Sequence, residues 1–238
     1  MENHELTRFE LLIGNDNLNN LKNKKVAVFG IGGVGGYVVE MLVRSGIGTI
    51  GLIDNDIVSI TNLNRQIIAT YDTIGMPKVE VMEQRIKSIN KNITVKKYQM
   101  FYLPELANEF DFEEYDYIVD AIDTVTGKLS LIEESKKRNI PIISSMGTGN
   151  KLNPLLLEIT DISKTSICPL ARTMRYELKK RNINHVDVIY SKELPIKTNC
   201  FDKTTKKNIP ASSAFVPSAA GIAIASYVIR KLINQKEE

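Results

Sequence analysis

The sequence predicts an α/β domain of Rossmann-like, doubly wound design: a mainly parallel sheet with helices on both faces, followed by a C-terminal extension. Three observations carry that expectation. Short apolar runs alternate with helical patterns from residue 25 to about 160, and such alternation implies right-handed crossovers and parallel pairing. A glycine-rich turn, Gly30-Ile31-Gly32-Gly33-Val34-Gly35, stands directly after an apolar strand and directly before a helix, the arrangement that binds phosphates in nucleotide folds. With 238 residues, 43% hydrophobic and 25% charged, the chain can bury a sizeable core and lacks the composition of disordered, collagen-like or coiled-coil proteins.

Taken in order, Lys25–Phe29 is the first strand, and the glycine turn feeds a helix ending near Ser45. Gly46-Ile47-Gly48 closes that helix as a glycine cap, and Thr49–Ile53 is the second strand. Pro77 starts a helix reaching Ile89, with Val79, Met82 and Ile86 on one face. Residues 93–98 alternate and form a third strand near an edge, while 117–121 and 141–144 are buried strands flanking a helix over 126–138. The rhythm then breaks. Residues 155–160 and 186–190 read as further strands around a helix over 169–181. Residues 192–211, rich in Lys, Thr and Asn, have no apolar periodicity and read as a loop or lid. Pro217 is expected to open a closing helix over 218–233. With no repeat and no linker, residues 1–238 are expected to form one domain: a core over about 8–160, a basic segment over 161–211 and a closing helix over 217–234.

Composition narrows the class further. Two cysteines, Cys168 and Cys200, exclude a disulfide scaffold and a four-thiolate zinc site. No basic-then-apolar leader opens the chain, so a cytoplasmic protein is expected. The uncharged run over 208–229 contains Pro210 and Pro217 and reads as a loop plus a buried helix, so no membrane is expected as a partner. Charge is uneven. Residues 1–163 hold 17 Lys and Arg against 22 Asp and Glu, a net of −5, whereas 164–207 hold 11 against 4, a net of +7. A basic segment on an acidic body suits docking of a polyanion, and equally a solvated helix face beside a Lys-rich loop.

Asp54, 24 positions after Gly30, ends the second strand, where a carboxylate accepts hydrogen bonds from ribose hydroxyls. NAD and ATP both satisfy this much. The polar stretches that follow distinguish them: Asp54-Asn55-Asp56, Thr61-Asn62-Leu63-Asn64-Arg65-Gln66, Gly75-Met76-Pro77-Lys78 and Asp120-Ala121-Ile122-Asp123-Thr124. Two cations, Arg65 and Lys78, and a strand-end carboxylate, Asp123, suit a triphosphate with Mg²⁺. Hydride transfer has no use for them. Each also has an ordinary reading: Arg65 and Lys78 as surface ions, Asn62 as a turn former, Asp120 or Asp123 as a helix cap.

The ordered motifs GIGGVGG, LIDND, NLNRQ, GMPK and VDAIDT over about residues 8–160 resemble the ubiquitin-activating-enzyme-like family typified by MoeB, ThiF and HesA. The resemblance implies ATP-dependent adenylation of a carboxylate. It implies an ATP site of Gly30, Gly32, Gly33 and Gly35 with Asp54 on the ribose, joined by Asp56, Asn62, Arg65, Gln66 and Lys78. Arg65, Lys78 and Asp123 would be catalytic, Asp123 serving Mg²⁺ or the attacking carboxylate. Arg8, in RFELLIG, resembles the arginine that family dimers supply across the subunit interface, which implies a homodimer; its ordinary reading is an exposed arginine on a first helix.

Members acting on ubiquitin-like proteins carry C-x-x-C pairs, and this chain has none. Cys168 precedes Pro169 at a helix start and Cys200 lies in the loop; both read as incidental thiols, though Cys200 stands where a thioester cysteine would. The segments SSMGTGNKLNP, TDISKTSICPLARTMRYELKKR and VDVIYSKE are instead similar to the tRNA threonylcarbamoyladenosine dehydratases. That similarity implies adenylation of the threonyl carboxylate on the modified adenosine beside the anticodon. Attack from within the modification then closes a ring and expels AMP. It implies ATP and Mg²⁺ as cofactors, and as partners tRNA carrying threonylcarbamoyladenosine and a sulfur-transfer protein. Lys164, Arg172, Arg175, Lys179, Lys180 and Arg181 then become candidate phosphate contacts. His4 and His185 read as surface residues. The rivals are adenylation of a sulfur-carrier C-terminus, a nucleotide-binding module without chemistry, and, weakest, an NAD-dependent reductase.

Overall fold

The computed structural model describes residues 4–198 and 210–234. Helices α1 (Thr7–Ile13) and α2 (Asn15–Lys22) precede β1 (Lys25–Phe29), α3 (Gly35–Arg44) and β2 (Thr49–Ile53). Next come α4 (Lys78–Ile89), β3 (Thr94–Tyr98), β4 (Tyr117–Asp120), α5 (Val125–Lys137) and β5 (Ile142–Ser145). The chain continues through β6 (Leu157–Asp161), α6 (Pro169–Lys180), β7 (Asp187–Ser191) and α7 (Phe215–Leu232). The strands form one seven-stranded sheet in the order β3-β2-β1-β4-β5-β7-β6. All pairs are parallel except β6, which runs antiparallel beside β7 with Leu157 opposite Ser191. The doubly wound, mainly parallel expectation holds, and β3 is an edge strand as its alternation implied.

Period-two alternation divides the core. Val26 and Val28 of β1 face α3, α4 and α7, whereas Ala27 and Phe29 face α5 and α6. The central strands β1, β2 and β4 are therefore buried on both sides, which is why their sequences are almost continuously apolar. The α3 cap is a Schellman motif: Ile47 N–H donates to Leu42 O at 3.3 Å and Gly46 N–H to Val43 O at 3.2 Å, with Gly46 at φ +81°. Glu40, buried on α3, accepts from Arg85 of α4 at 2.7 and 3.1 Å and from Arg44 at 2.8 Å, clamping the two helices.

Two features differ from expectation, and a third lies where the sequence carried no expectation. Pro217 is the third residue of α7, not its opener; a first-turn proline is tolerated because its missing N–H would have no intrahelical acceptor. β6 starts at Leu157, since Pro154–Leu156 form a 3₁₀ turn that Asn153 caps from its side chain at 3.0 Å. The crossover from β3 to β4 contains 3₁₀ turns, Pro104–Glu109 and Phe112–Glu114, whose Phe110 and Phe112 join Phe29 and Tyr102 in an aromatic cluster. Of the expected 192–211 loop, residues 199–209 lie outside the described residues. Its described flanks are fastened to Asn150, whose O accepts from Ile196 N at 2.8 Å and whose Oδ1 accepts from Ala211 N at 2.7 Å. One described helix, α7, is long and apolar enough to cross a membrane by length and composition; half of it is buried against the rest of the fold.

Candidate active site

The sheet reverses its winding between β1 and β4, so the connections leaving their carboxyl ends diverge and open a crevice. A cavity of about 400 Å³ occupies it. Gly30, Gly32 and Gly33 form its floor, Asp54, Asp56 and Lys78 one side, Asn62, Arg65 and Gln66 another, and Asp123 a third. The motifs thus converge although they span nearly a hundred residues of chain. Met100, Phe101 and Tyr102 complete the wall; nothing in their sequence marked them, because the β3–β4 crossover has neither helical nor strand periodicity.

The glycines divide into two pairs. Gly30 has φ +89° and lies so close to β4 that a Cβ would sit 2.7 Å from Ala121 O. A Cβ on Gly35 would sit 1.8 Å from Gly30 O, and Gly35 does not line the cavity. These two let the helix meet the strand. Gly32 and Gly33 face the cavity, and the nearest atom to a Cβ on Gly32 is Gln66 Nε2 at 3.9 Å. Close packing thus constrains Gly30 and Gly35, whereas Gly32 has room over it and lines the cavity with Gly30 and Gly33.

Asp54 accepts from Ile31 N at 2.6 Å and from Asp56 N at 2.8 Å, which orients it beside the glycine loop. Burial raises its carboxyl above the ordinary aspartate range, while the Lys78 ammonium, 3.8 Å away, works against that rise. Lys78 is itself buried and donates to Asp56 Oδ2 at 2.7 Å. It is no surface ion. Asn62 both forms its turn, accepting from Ser59 N at 3.0 Å, and lines the cavity. Arg65 Nη1 donates to Thr61 O at 2.8 Å and Asn64 Oδ1 at 3.0 Å, and no carboxylate among the described residues pairs with it. Gln66 Oε1 is buried with no partner among the described residues. Asp123 stands exposed on the wall, without a side-chain partner among those residues.

Beneath this floor lies a group that the sequence did not reveal. Lys128 of α5, wholly buried, donates to both oxygens of buried Asp120 at 3.0 Å and to Ser144 Oγ at 3.3 Å. Asp120 Oδ1 also accepts from Ile122 N at 3.3 Å, fixing the turn that presents Asp123. The available signal was a lysine inside the apolar stripe of α5, between Val125 and Leu131.

Other candidates lie elsewhere. Arg8, exposed on α1, does not reach this chain's own cavity. It neighbours an apolar groove of about 520 Å³ lined by Phe9, Leu12, Ile13, Met41, Ile222 and Ile229. Arg172, Arg175 and Lys179 line a cavity of about 460 Å³ on α6 with Tyr176 and His185. Arg175 is committed to Thr165 O at 2.8 Å. Lys180 and Arg181 pair with Glu177 at 2.9 Å. Lys164, Arg172 and Lys179 are exposed and unpaired among the described residues. His4 pairs with Glu10 and His185 with Asp161, both at the surface. Cys168 is buried and Cys200 lies outside the described residues. Among the described residues no group of three or more His, Cys, Asp or Glu could hold a metal.

The chain is similar to known proteins in sequence and in fold. The ThiF family model matches residues 5–238. A Bacillus subtilis protein named tRNA threonylcarbamoyladenosine dehydratase is 44% identical, the match covering 98% of this chain and 96% of that one. The Haemophilus influenzae protein of the same name is 36% identical over 93% of this chain and 90% of its own. The crystal structure of the Escherichia coli tRNA N6-threonylcarbamoyladenosine dehydratase in complex with ATP superposes with a TM-score of 0.89 at 31% identity, covering 97% of this chain and 94% of that one.

Proposed function

This chain belongs to the ThiF family, and we propose that it carries out the ATP-dependent dehydration of threonylcarbamoyladenosine in tRNA. The observation that carries this reading is the convergence of Asp54, Arg65, Lys78 and Asp123 on one glycine-floored cavity, in a chain that matches bacterial relatives of that name over 90% or more of both lengths.

Asp54, oriented by two backbone amides, holds the ribose. The glycine loop and the first turn of α3 receive the phosphates, where free N–H groups and the helix dipole favour anions. A threonyl carboxylate oxygen attacks the α-phosphorus and pyrophosphate departs with the bonding electrons. Arg65, with no carboxylate partner among the described residues, and Lys78, already desolvated, offset the charge that develops. Asp123, an exposed carboxylate on the wall with no side-chain partner among the described residues, would hold a Mg²⁺ ion beside the phosphates. When bound, Mg²⁺ neutralises charge on the leaving pyrophosphate. Attack from within the modification then expels AMP, and being intramolecular it needs no thioester relay.

A second copy of the chain covers the apolar groove beside α1 and carries Arg8 to a neighbouring cavity, making the active unit a homodimer. Lys164, Arg172 and Lys179 remain available to tRNA phosphates, and a cytoplasmic location is in keeping with such a substrate. The test is mass spectrometry of nucleosides from threonylcarbamoylated tRNA incubated with protein and ATP. Loss of one water is expected; an unchanged nucleoside overturns the reading.

A further inference from the structure

A second cavity, of about 450 Å³, adjoins the nucleotide cavity. Arg65, Asp123, Thr148 and Ser212 line both, whereas Asp54 and Lys78 line only the first and Gly147, Lys151 and Cys168 only the second. Reacting atoms held on the two sides therefore meet at the wall that carries Arg65 and Asp123. The mechanism so far leaves Lys151 without a task.

Lys151 is 3% exposed. Its ammonium donates to Gly147 O at 2.7 Å, and no carboxylate among the described residues pairs with it. Glu193 approaches but uses both oxygens elsewhere, accepting from Leu152 N at 3.0 Å and Asn153 N at 2.8 Å. Burial pulls the lysine below its ordinary range, with Cys168 and Glu193 acting in the other direction. A buried cation with no carboxylate partner among the described residues is costly unless an anion arrives to meet it. The backbone around it is held firmly. Asn150, at φ +59°, exchanges hydrogen bonds with Ala211 at 2.7 Å, and Lys151 O accepts from Ser213 Oγ at 3.1 Å.

We propose that the second cavity seats the acceptor and that Lys151 binds its carboxylate, turning one oxygen toward the nucleotide across the Arg65–Asp123 wall. This assignment rests on the dehydratase reading. It makes Lys151 a specificity-determining residue, since an acceptor lacking the negative charge leaves the ammonium unpaired.

The test uses a synthetic anticodon stem-loop carrying threonylcarbamoyladenosine, and the same stem-loop with the carboxylate replaced by a carboxamide. Wild-type protein should bind the acid about 10- to 100-fold more tightly than the amide, the effect of a charge-assisted hydrogen bond. Lys151→Met should bind both alike and lose on the order of 10²-fold in kcat/KM for stem-loop-dependent ATP–pyrophosphate exchange. Its ATP affinity should match that of wild type, and Lys151→Arg should recover part of the loss. If Lys151→Met melts early, Lys151→Gln, which keeps a donor to Gly147 O, takes its place in the acid–amide comparison. A variant that still prefers the acid as wild type does overturns the assignment and leaves the dehydratase reading standing. A wild-type protein that shows no exchange with the modified stem-loop removes both.

Discussion

Replacing Gly32 and Gly35 by alanine, one at a time, separates the two tasks of the glycine loop. A Cβ on Gly35 overlaps Gly30 O at 1.8 Å, and both atoms belong to backbone packed between β1 and α3, so no side-chain rotation relieves the clash. The loop or the helix must shift by more than an ångström. A cost above about 4 kcal/mol follows, in the exceptional range for one substitution and a large part of the 5–15 kcal/mol that holds a typical domain. A Cβ on Gly32 meets nothing nearer than 3.9 Å, and Gly32 is not among the left-handed glycines. The unliganded variant should therefore stay within about 1 kcal/mol of wild type. Its methyl group stands where the phosphates approach the backbone, and a loss of about 100-fold in ATP affinity is expected. Thermal melting with and without nucleotide reads both effects. At an ATP concentration about 100 times the wild-type Kd, binding adds ~2.7 kcal/mol to stability, and a hundredfold loss leaves ~0.4. For a chain of this size the first corresponds to a rise of roughly 5–10 °C and the second to about one degree. A full ATP-dependent shift in Gly32→Ala would refute phosphate binding by the loop. Wild-type melting of Gly35→Ala would refute the close approach of α3 to β1.

The remaining predictions concern charge. Lys128→Met leaves Asp120 buried without a counter-charge and should cost about 3–5 kcal/mol in urea denaturation, most of it recovered when Asp120→Asn is added; a single-variant cost under about 1 kcal/mol would show that the pair is not sealed from water. Although burial works to raise the Glu40 carboxyl, Arg85 and Arg44 hold it below the ordinary value of 4.5. Its contribution, about 1–3 kcal/mol, is thus complete above pH 4.5 and is lost as pH falls through the lowered folded-state value. Glu40→Gln should be less stable at neutral pH yet lose less on acidification below 4.5, and parallel acid limbs would contradict the clamp. Arg8→Ala and Arg65→Ala proteins, each inactive alone, should regain about a quarter of wild-type sites when their subunits are exchanged, since half the dimers are mixed and each has one intact site. No recovery would place Arg8 outside its neighbour's cavity.

What the sequence could disclose was governed by how local each constraint is. The glycine turn, Asp54 at a strand end and the Gly46 cap are short-range devices, and each appears where its spacing implied. The antiparallel direction of β6 depends on its pairing with β7, thirty residues further on, and no local pattern encodes it. Charge was legible as composition but not as availability. Lys180 and Arg181 contribute to the basic segment, yet Glu177 engages both and Glu133 of α5 meets Arg181. Lys128 and Lys151 were hidden for a related reason: an amphipathic pattern treats any lysine as an outward residue unless its partners are known. The partners of Lys128 come from β4 and β5, and the backbone that holds Lys151 is fastened by residues some sixty positions away. The candidate nucleotide cavity, written in contiguous motifs, could therefore be read directly, whereas the proposed acceptor cavity depends on distant segments meeting. If Lys151 binds the acceptor as proposed, two proteins sharing every glycine and aspartate of the first cavity can differ in what they adenylate through a single buried cation in the second.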